Sequence, residues 1–233
     1  KKAYEDSVYI AFANNKFADA ILRTTKFKVK TAEQSALNDK AISFSTSINP
    51  GEPIAFHIGA LNASNENPIE FFVDLGDGTQ KAFKATSSYA TETANVTGTK
   101  AGYGQIIVYA PEGVEITAFE TNGIPMYSID VTQARSLRSL CLPNAGLYNI
   151  DLAWNRCLEK LNLSNNNLST LTLAGTNSNY DKNILSYIDL SNNTLSDLTL
   201  NDMRSIDFLN LSYNQLSDDD IDLSFGDYVI DLN

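Results

Sequence analysis

Three segments in the second half of the chain are near copies of one another. Leu161-Asn162-Leu163-Ser164-Asn165-Asn166-Asn167-Leu168 recurs as Ile188-Asp189-Leu190-Ser191-Asn192-Asn193-Thr194-Leu195, and again as Leu209-Asn210-Leu211-Ser212-Tyr213-Asn214-Gln215-Leu216. A unit that returns at a fixed period cannot bury its apolar face alone, so stacking on its neighbours is what the chain must do. Extended L-x-L triplets mark the strands. One series is Phe119–Thr121, Leu140–Leu142, Leu161–Leu163, Ile188–Leu190, Leu209–Leu211 and Ile230–Leu232. Its steps are 21 residues, with one of 27. The second is Ile129–Val131, Ile150–Leu152, Leu171–Leu173, Leu198–Leu200 and Ile221–Leu223. Six extra residues within 176–183, rich in Asn, account for the long step and read as a loop.

In an extended triplet the outer two side chains share a face and the middle one points away. Stacking lays the outer Leu and Ile into one core. The middle residues then line a parallel sheet whose strands stand about 4.8 Å apart. The sixth position of each copy, Asn166, Asn193 and Asn214, follows the strand where the chain bends inward. An amide there can satisfy backbone groups left unpaired by the bend, so these three are expected to form a structural ladder. Ala145 takes this position in the turn starting at Leu140, which is expected to be less regular.

Before the repeats the pattern changes to alternation. Ile42–Ser45, Ile54–Ile58, Ile69–Val73 and Gln105–Tyr109 read as strands, with weaker candidates at Thr79–Ala85 and Thr91–Thr97. Turn signals separate them: Asn49-Pro50-Gly51, Asn62–Pro68, Gly76-Asp77-Gly78 and Thr97-Gly98. Phe17, Ala20 and Ile21 fit a short amphipathic helix near the start. The expected division is an N-terminal segment over 1–40, a small β-sandwich over 41–115 and the repeats over 116–233.

The octets carry the L-x-L-x-x-N-x-L core of leucine-rich repeats. The alternating 21-residue pattern, including Ile150-Asp151-Leu152-Ala153-Trp154-Asn155-Arg156-Cys157-Leu158, resembles surface leucine-rich-repeat proteins of Bacteroides-like bacteria. Val8–Phe17 is similar to the V-x-I-P-D-x-N-F segment that precedes such repeats, without its Pro and Asp. Val73-Asp74-Leu75-Gly76-Asp77-Gly78-Thr79 resembles the W-D-F-G-D-G-T turn of PKD-type domains, which are immunoglobulin-like. The resemblances imply a mainly β fold: a small PKD- or Ig-like β-sandwich, then a short leucine-rich-repeat solenoid with a parallel sheet. They also imply export, commonly as an outer-membrane lipoprotein, and a part in adhesion or ligand capture.

Net charge is −11, and the acid sits on the repeats. From Ile116 onward six Lys and Arg face 15 Asp and Glu, a net of −9. A face of that sign repels phosphates, which argues against nucleic acid and anionic membranes as partners. No apolar run reaches the ~18 residues of a membrane span, and no signal peptide is visible after Lys1-Lys2. Membrane attachment is therefore expected only through a lipid anchor outside this chain. Cys157 falls at a core position and Cys141 on the opposite face, so both are expected to be free.

No catalytic constellation assembles from the sequence. The lone histidine, His57, reads as a strand residue facing solvent or half buried. No phosphate loop, nucleophile elbow or zinc spacing is present, and neither cofactor nor metal is expected. The D-x-G-D-G turn lacks the ligands of a calcium loop, and Asp218–Asp222 read as charges guarding a sheet edge.

The expected binding face is the outward side of the first strand series: Lys160, Asn162, Tyr187, Asp189, Phe208 and Asn210. Tyr187 and Phe208 should be neighbours one turn apart, and aromatics beside amides and carboxylates suit a protein or a glycan. The second series, with Asp130, Asp151, Thr172, Thr199 and Asp222, reads as a plainer face. The function expected is non-catalytic binding or adhesion at a cell surface. A structural spacer, or a module that self-assembles as a homodimer through the Ile230–Leu232 edge, is the second reading. A carbohydrate-active accessory or hydrolase comes last.

Overall fold

The computed structural model describes residues 39–89, 93–173, 185–199, 206–217 and 221–222. Among these residues the protein is mainly β, with several open sheets and no helix. The helix expected near Phe17, the loop within 176–183, the Asp218–Asp220 run and the Ile230–Leu232 strand lie outside them.

The first half supplies β1 (Asp39–Thr46), β2 (Pro53–Ala60), β3 (Ile69–Asp74), β4 (Gln80–Ala85), β5 (Val96–Thr99) and β6 (Ile106–Ala110). β7 (Ile116–Thr121) and β8 (Met126–Asp130) follow. One sheet has the order β4-β3-β6-β1-β8. The strand expected at Thr91–Thr97 begins only at Val96. Asn95 explains the late start, because its side chain takes the place of strand pairing. Its Nδ2 donates to the carbonyls of Ile58 (2.8 Å) and Lys84 (3.0 Å), and its Oδ1 accepts from Ile58 N (2.9 Å).

The repeats supply two interleaved series. β9 (Ser139–Cys141), β11 (Lys160–Asn162), β13 (Tyr187–Asp189) and β15 (Phe208–Asn210) pair in parallel. β10 (Asp151–Leu152), β12 (Thr170–Leu173), β14 (Asp197–Thr199) and β16 (Ile221–Asp222) form a second parallel sheet. From β9 onward, first-series strands start one residue before the Leu triplet. The third residue of the triplet still donates to the following strand, as Leu142 N does to Asn162 O (2.8 Å) and Leu163 N to Asp189 O (2.8 Å).

β7 joins the halves. It pairs antiparallel with β2 and parallel with β9, so one seven-stranded sheet runs β15-β13-β11-β9-β7-β2-β5. β8 likewise leaves the repeats to pair antiparallel with β1. Beneath, Phe44, Phe56 and Phe119 meet with centroids 5.7 Å apart. A single apolar cluster continues from Ile42 through Leu140, Leu161 and Ile188 to Leu211. Residues on the two sides of position 116 thus share a sheet and a core.

Each turn of the first series bends at a residue with positive φ: Asn144, Asn165, Asn192 and Tyr213, at 54–57°. Asn tolerates this region better than other residues with a Cβ. The amides of Asn144, Asn165 and Asn192 then donate to Ser164, Ser191 and Ser212 O of the following turn. The next residue is the amide-ladder position. Asn166 Nδ2 donates to Leu142 O and Leu163 O, both at 2.9 Å, and its Oδ1 accepts from Leu147 N at 2.9 Å. Asn193 and Asn214 repeat this pattern one and two turns on. Asn155 does a related job in the second series, donating to Val131 O (3.0 Å) and Ala134 O (2.9 Å). Its identical sequence context, an Asn after L-x-x, was available as a signal.

Cys157 corrects an expectation. It is exposed, and Leu158 beside it fills the core instead. The 3-residue turn from Leu152 to Asn155 and on to Leu158 sets this register, with Asn155 N donating to Leu152 O and Leu158 N to Asn155 O. Both cysteines are free.

Candidate binding face of the seven-stranded sheet

Strand register brings the expected residues into two rows on one face. Ser139, Lys160, Tyr187 and Phe208 align across β9, β11, β13 and β15. Cys141, Asn162, Asp189 and Asn210 form the parallel row, two residues further along each strand. β7 and β2 extend that row to Glu120 and His57.

The aromatic row is a stack. The Tyr187 and Phe208 rings lie 4.4 Å apart with an interplanar angle of 10°. The Lys160 ammonium sits 5.6 Å from the Tyr187 centroid, within cation–π range. In-register parallel strands dictate this contact, since identical positions on adjacent strands are one strand spacing apart. Phe208 remains 40% exposed.

The polar row is pinned. Asn162 Oδ1 accepts from Ser164 N (3.0 Å) and Ser164 Oγ (2.7 Å). Asp189 does the same with Ser191 (3.1 and 2.7 Å), and Asn210 with Ser212 (3.2 and 2.8 Å). Each side chain thereby starts the bend after its strand, as Asx residues do. One polar atom of each, Nδ2 or Oδ2, is left over for a ligand among the described residues.

The other end of the face is roofed. His57 is buried, 4% exposed, and not the open or half-buried strand residue expected from sequence. Residues Ser87–Tyr89 and Thr93–Asn95 lie over it: His57 Nδ1 is 3.2 Å from Thr93 O and Nε2 3.2 Å from Tyr89 O. Gly59 permits the approach, because a Cβ there would stand 2.8 Å from Ala118 Cβ and 3.2 Å from Ser87 O. Thr117 Oγ1 donates to Ser88 O at 2.7 Å, and Arg138 Nη1 to Tyr89 Oη at 3.2 Å. Alternation cannot reveal residues that pack from outside the sheet, so this cover was not legible from sequence.

Under the edge of this roof, Cys141 and Ser139 are also buried. Ser139 Oγ donates to Glu120 Oε1 at 2.7 Å. Burial, with the nearby Glu120 carboxylate, pushes the Cys141 thiol up to about 12, so it stays protonated.

Exposed aromatics also lie beside the second series. Tyr127 and Tyr148, one period apart, are 74% and 71% exposed, and Trp154 is half exposed with Arg135 5.2 Å from its ring. Their 21-residue spacing was legible. Asp130 Oδ1 accepts from Thr132 N (3.0 Å) and Oγ1 (2.7 Å), which holds its carboxyl below the usual carboxylate range. Asp151 Oδ1 accepts from Ala153 N at 2.9 Å. A separate cleft of about 540 Å³ lies between Lys40, Glu112, Glu115 and Arg135, away from both rows.

The turn after β3 is built around Asp74. Its Oδ1 accepts from the amides of Gly76 (2.8 Å), Asp77 (3.0 Å) and Gly78 (3.0 Å). Buried Lys100 donates to Gly104 O at 2.9 Å and to Gly102 O, and its desolvation lowers the ammonium below the ordinary lysine value. The carboxylate is thus spent on holding the turn. No protein-family model, curated protein or solved structure matches the chain.

Proposed function

We propose that this chain is a non-catalytic binding protein of a bacterial cell surface, and that it captures a protein or glycan on the outward face of the seven-stranded sheet. The observation that carries the reading is the pair of in-register rows, Lys160-Tyr187-Phe208 and Asn162-Asp189-Asn210. Rigid, pre-positioned aromatic and polar groups bind without a large ordering cost. The 21-residue periodicity and the turn-by-turn amide ladder support a leucine-rich-repeat solenoid, with the N-terminal sheets as its PKD- or Ig-like sandwich and cap. Cys141 held as a thiol and His57 engaged with backbone carbonyls favour binding over catalysis. Surface attachment would come through a lipid anchor.

The test is a screen of purified protein against glycan and matrix-protein arrays, beside a Tyr187→Ala/Phe208→Ala variant. Binding lost in the variant supports the reading. Binding that survives moves the site to another surface, with the Tyr127–Tyr148 face next in line.

A further inference from the structure

We propose that the ligand of this face is a cationic polypeptide, received by the carboxylates of Asp189, two residues after Tyr187, and of Asp207, directly before Phe208. This rests on the reading of the face as a binding site.

The charge pattern carries the inference. Both cations on the face are already matched from within. Arg138 Nη1 meets Tyr89 Oη at 3.2 Å and Glu159 Oε1 at 3.5 Å. Lys160 rests over Tyr187. The acids are in surplus. Asp207, exposed and immediately before Phe208, has no side-chain partner among the described residues, and neither has Asp189 Oδ2. The repeats as a whole carry −9. Such a field steers basic partners and repels acidic ones.

The charge at position 189 is not needed for the fold. Asn162 and Asn210 make the same pair of bonds to the following serine from the flanking strands, at the same distances within 0.1–0.2 Å. An amide would therefore serve the turn at Asp189, and the negative charge is free for another purpose. A basic side chain laid on this face meets an aromatic pair and carboxylates together, the pairing that suits Arg and Lys. A neutral glycan can hydrogen-bond these carboxylates but leaves their charge unmatched, whereas a basic side chain does both.

The test uses the full chain and a fluorescent peptide of alternating Arg and Ser, titrated at low and moderate salt. The expected result is salt-sensitive binding that Asp189→Asn/Asp207→Asn weakens on the order of tenfold, about one lost charge-assisted contact. Glu66→Gln/Glu70→Gln removes the same charge from exposed positions at β3, in the other sheet, and should leave binding unchanged. Equal loss in both variants would reduce the effect to general attraction and overturn the proposal. So would failure of the peptide to bind while a neutral glycan binds and is lost in Tyr187→Ala/Phe208→Ala, although the face would then stand as a site. If neither ligand class binds, the underlying reading falls as well. Circular dichroism of Asp189→Asn/Asp207→Asn confirms that the loss is not unfolding.

Discussion

Asn193 donates from Nδ2 to the carbonyl of Leu163, thirty residues earlier in the chain, at 2.9 Å. The same nitrogen donates to Leu190 O at 3.0 Å, and Oδ1 accepts from Leu168 N at 3.0 Å. One amide thus ties its own turn to the one before it, inside an apolar core. Replacing Asn193 by Ala leaves Leu168 N without its acceptor and takes one of two amide donors from Leu163 O and from Leu190 O, which keep Asn166 and Asn214. The expected loss is about 1–3 kcal/mol, the cost of one unpaired buried group. Urea unfolding measures it. Asn193→Asp should be no better, because it removes both donors and buries a charge. A loss below about 1 kcal/mol would mean that water replaces the amide.

This ladder was legible because its physics is local and repeated. Leu163, Leu190 and Leu211 fix the inward face, and an Asn three residues later has only the backbone to answer. The Tyr187–Phe208 contact was legible for the same reason, as strand register copies sequence spacing into space. Cys157 and His57 were misread where a single residue's burial depends on what packs from outside its own element. The Leu158 side chain displaces the first, and Tyr89 and Thr93 cover the second. The sharing of β7 between halves was also hidden. Phe119 satisfies the alternating pattern of the first half and the repeat pattern of the second equally well.

Tyr213 breaks the pattern of its turn at a cost. It adopts φ of 57°, where the three equivalent positions carry Asn. The ring is 79% exposed, so little packing repays the strain. Tyr213→Asn should stabilise the protein by about 1 kcal/mol, the scale of the left-handed penalty. Thermal melting reads this as an upward shift in Tm. A fall would show that the tyrosine makes a contact worth more than its strain.

Gly59 holds the roof down. A methyl group there meets Ala118 Cβ at 2.8 Å and the Ser87 and Ser88 backbone at 3.2 Å. Gly59→Ala must push the covering segment away from His57, at a cost of about 1–3 kcal/mol as in other overpacked sites. Amide exchange at His57 and Thr117 should accelerate relative to the repeats. Unchanged exchange there would mean that the segment shifts without lifting.

Asp130 offers a pH signature. Hydrogen bonds from Thr132, and then the charge of Lys40 at 3.7 Å, lower its pKa in the folded state. A depressed carboxylate contributes stability above its unfolded value near 3.9, and that contribution is lost as pH falls through the folded value. The side chain is about half exposed, so the contribution is under about 1 kcal/mol after solvent screening. Thr132→Val should raise the Asp130 pKa, as followed by NMR titration. It should also narrow the difference in stability between neutral and acidic pH. An unmoved titration would assign the shift to the residue-132 backbone amide and Lys40.

The two cysteines should separate cleanly under alkylation. Thiolate is the reacting species, and Cys141 is both buried and held near 12 by desolvation beside Glu120. Cys157 is exposed. At pH 8 iodoacetamide should modify Cys157 readily, while Cys141 carries only about one part in ten thousand thiolate, a factor of ten per pH unit below its pKa. Peptide mass spectrometry distinguishes the sites. In denaturant the two should react alike. Glu120→Gln should speed native labelling of Cys141, because it removes the second cause of the shift. No acceleration would leave burial as the whole cause. Rapid labelling of Cys141 in the untouched protein would mean that the roof over the sheet opens far more often than its contacts with His57, Thr117 and Arg138 allow.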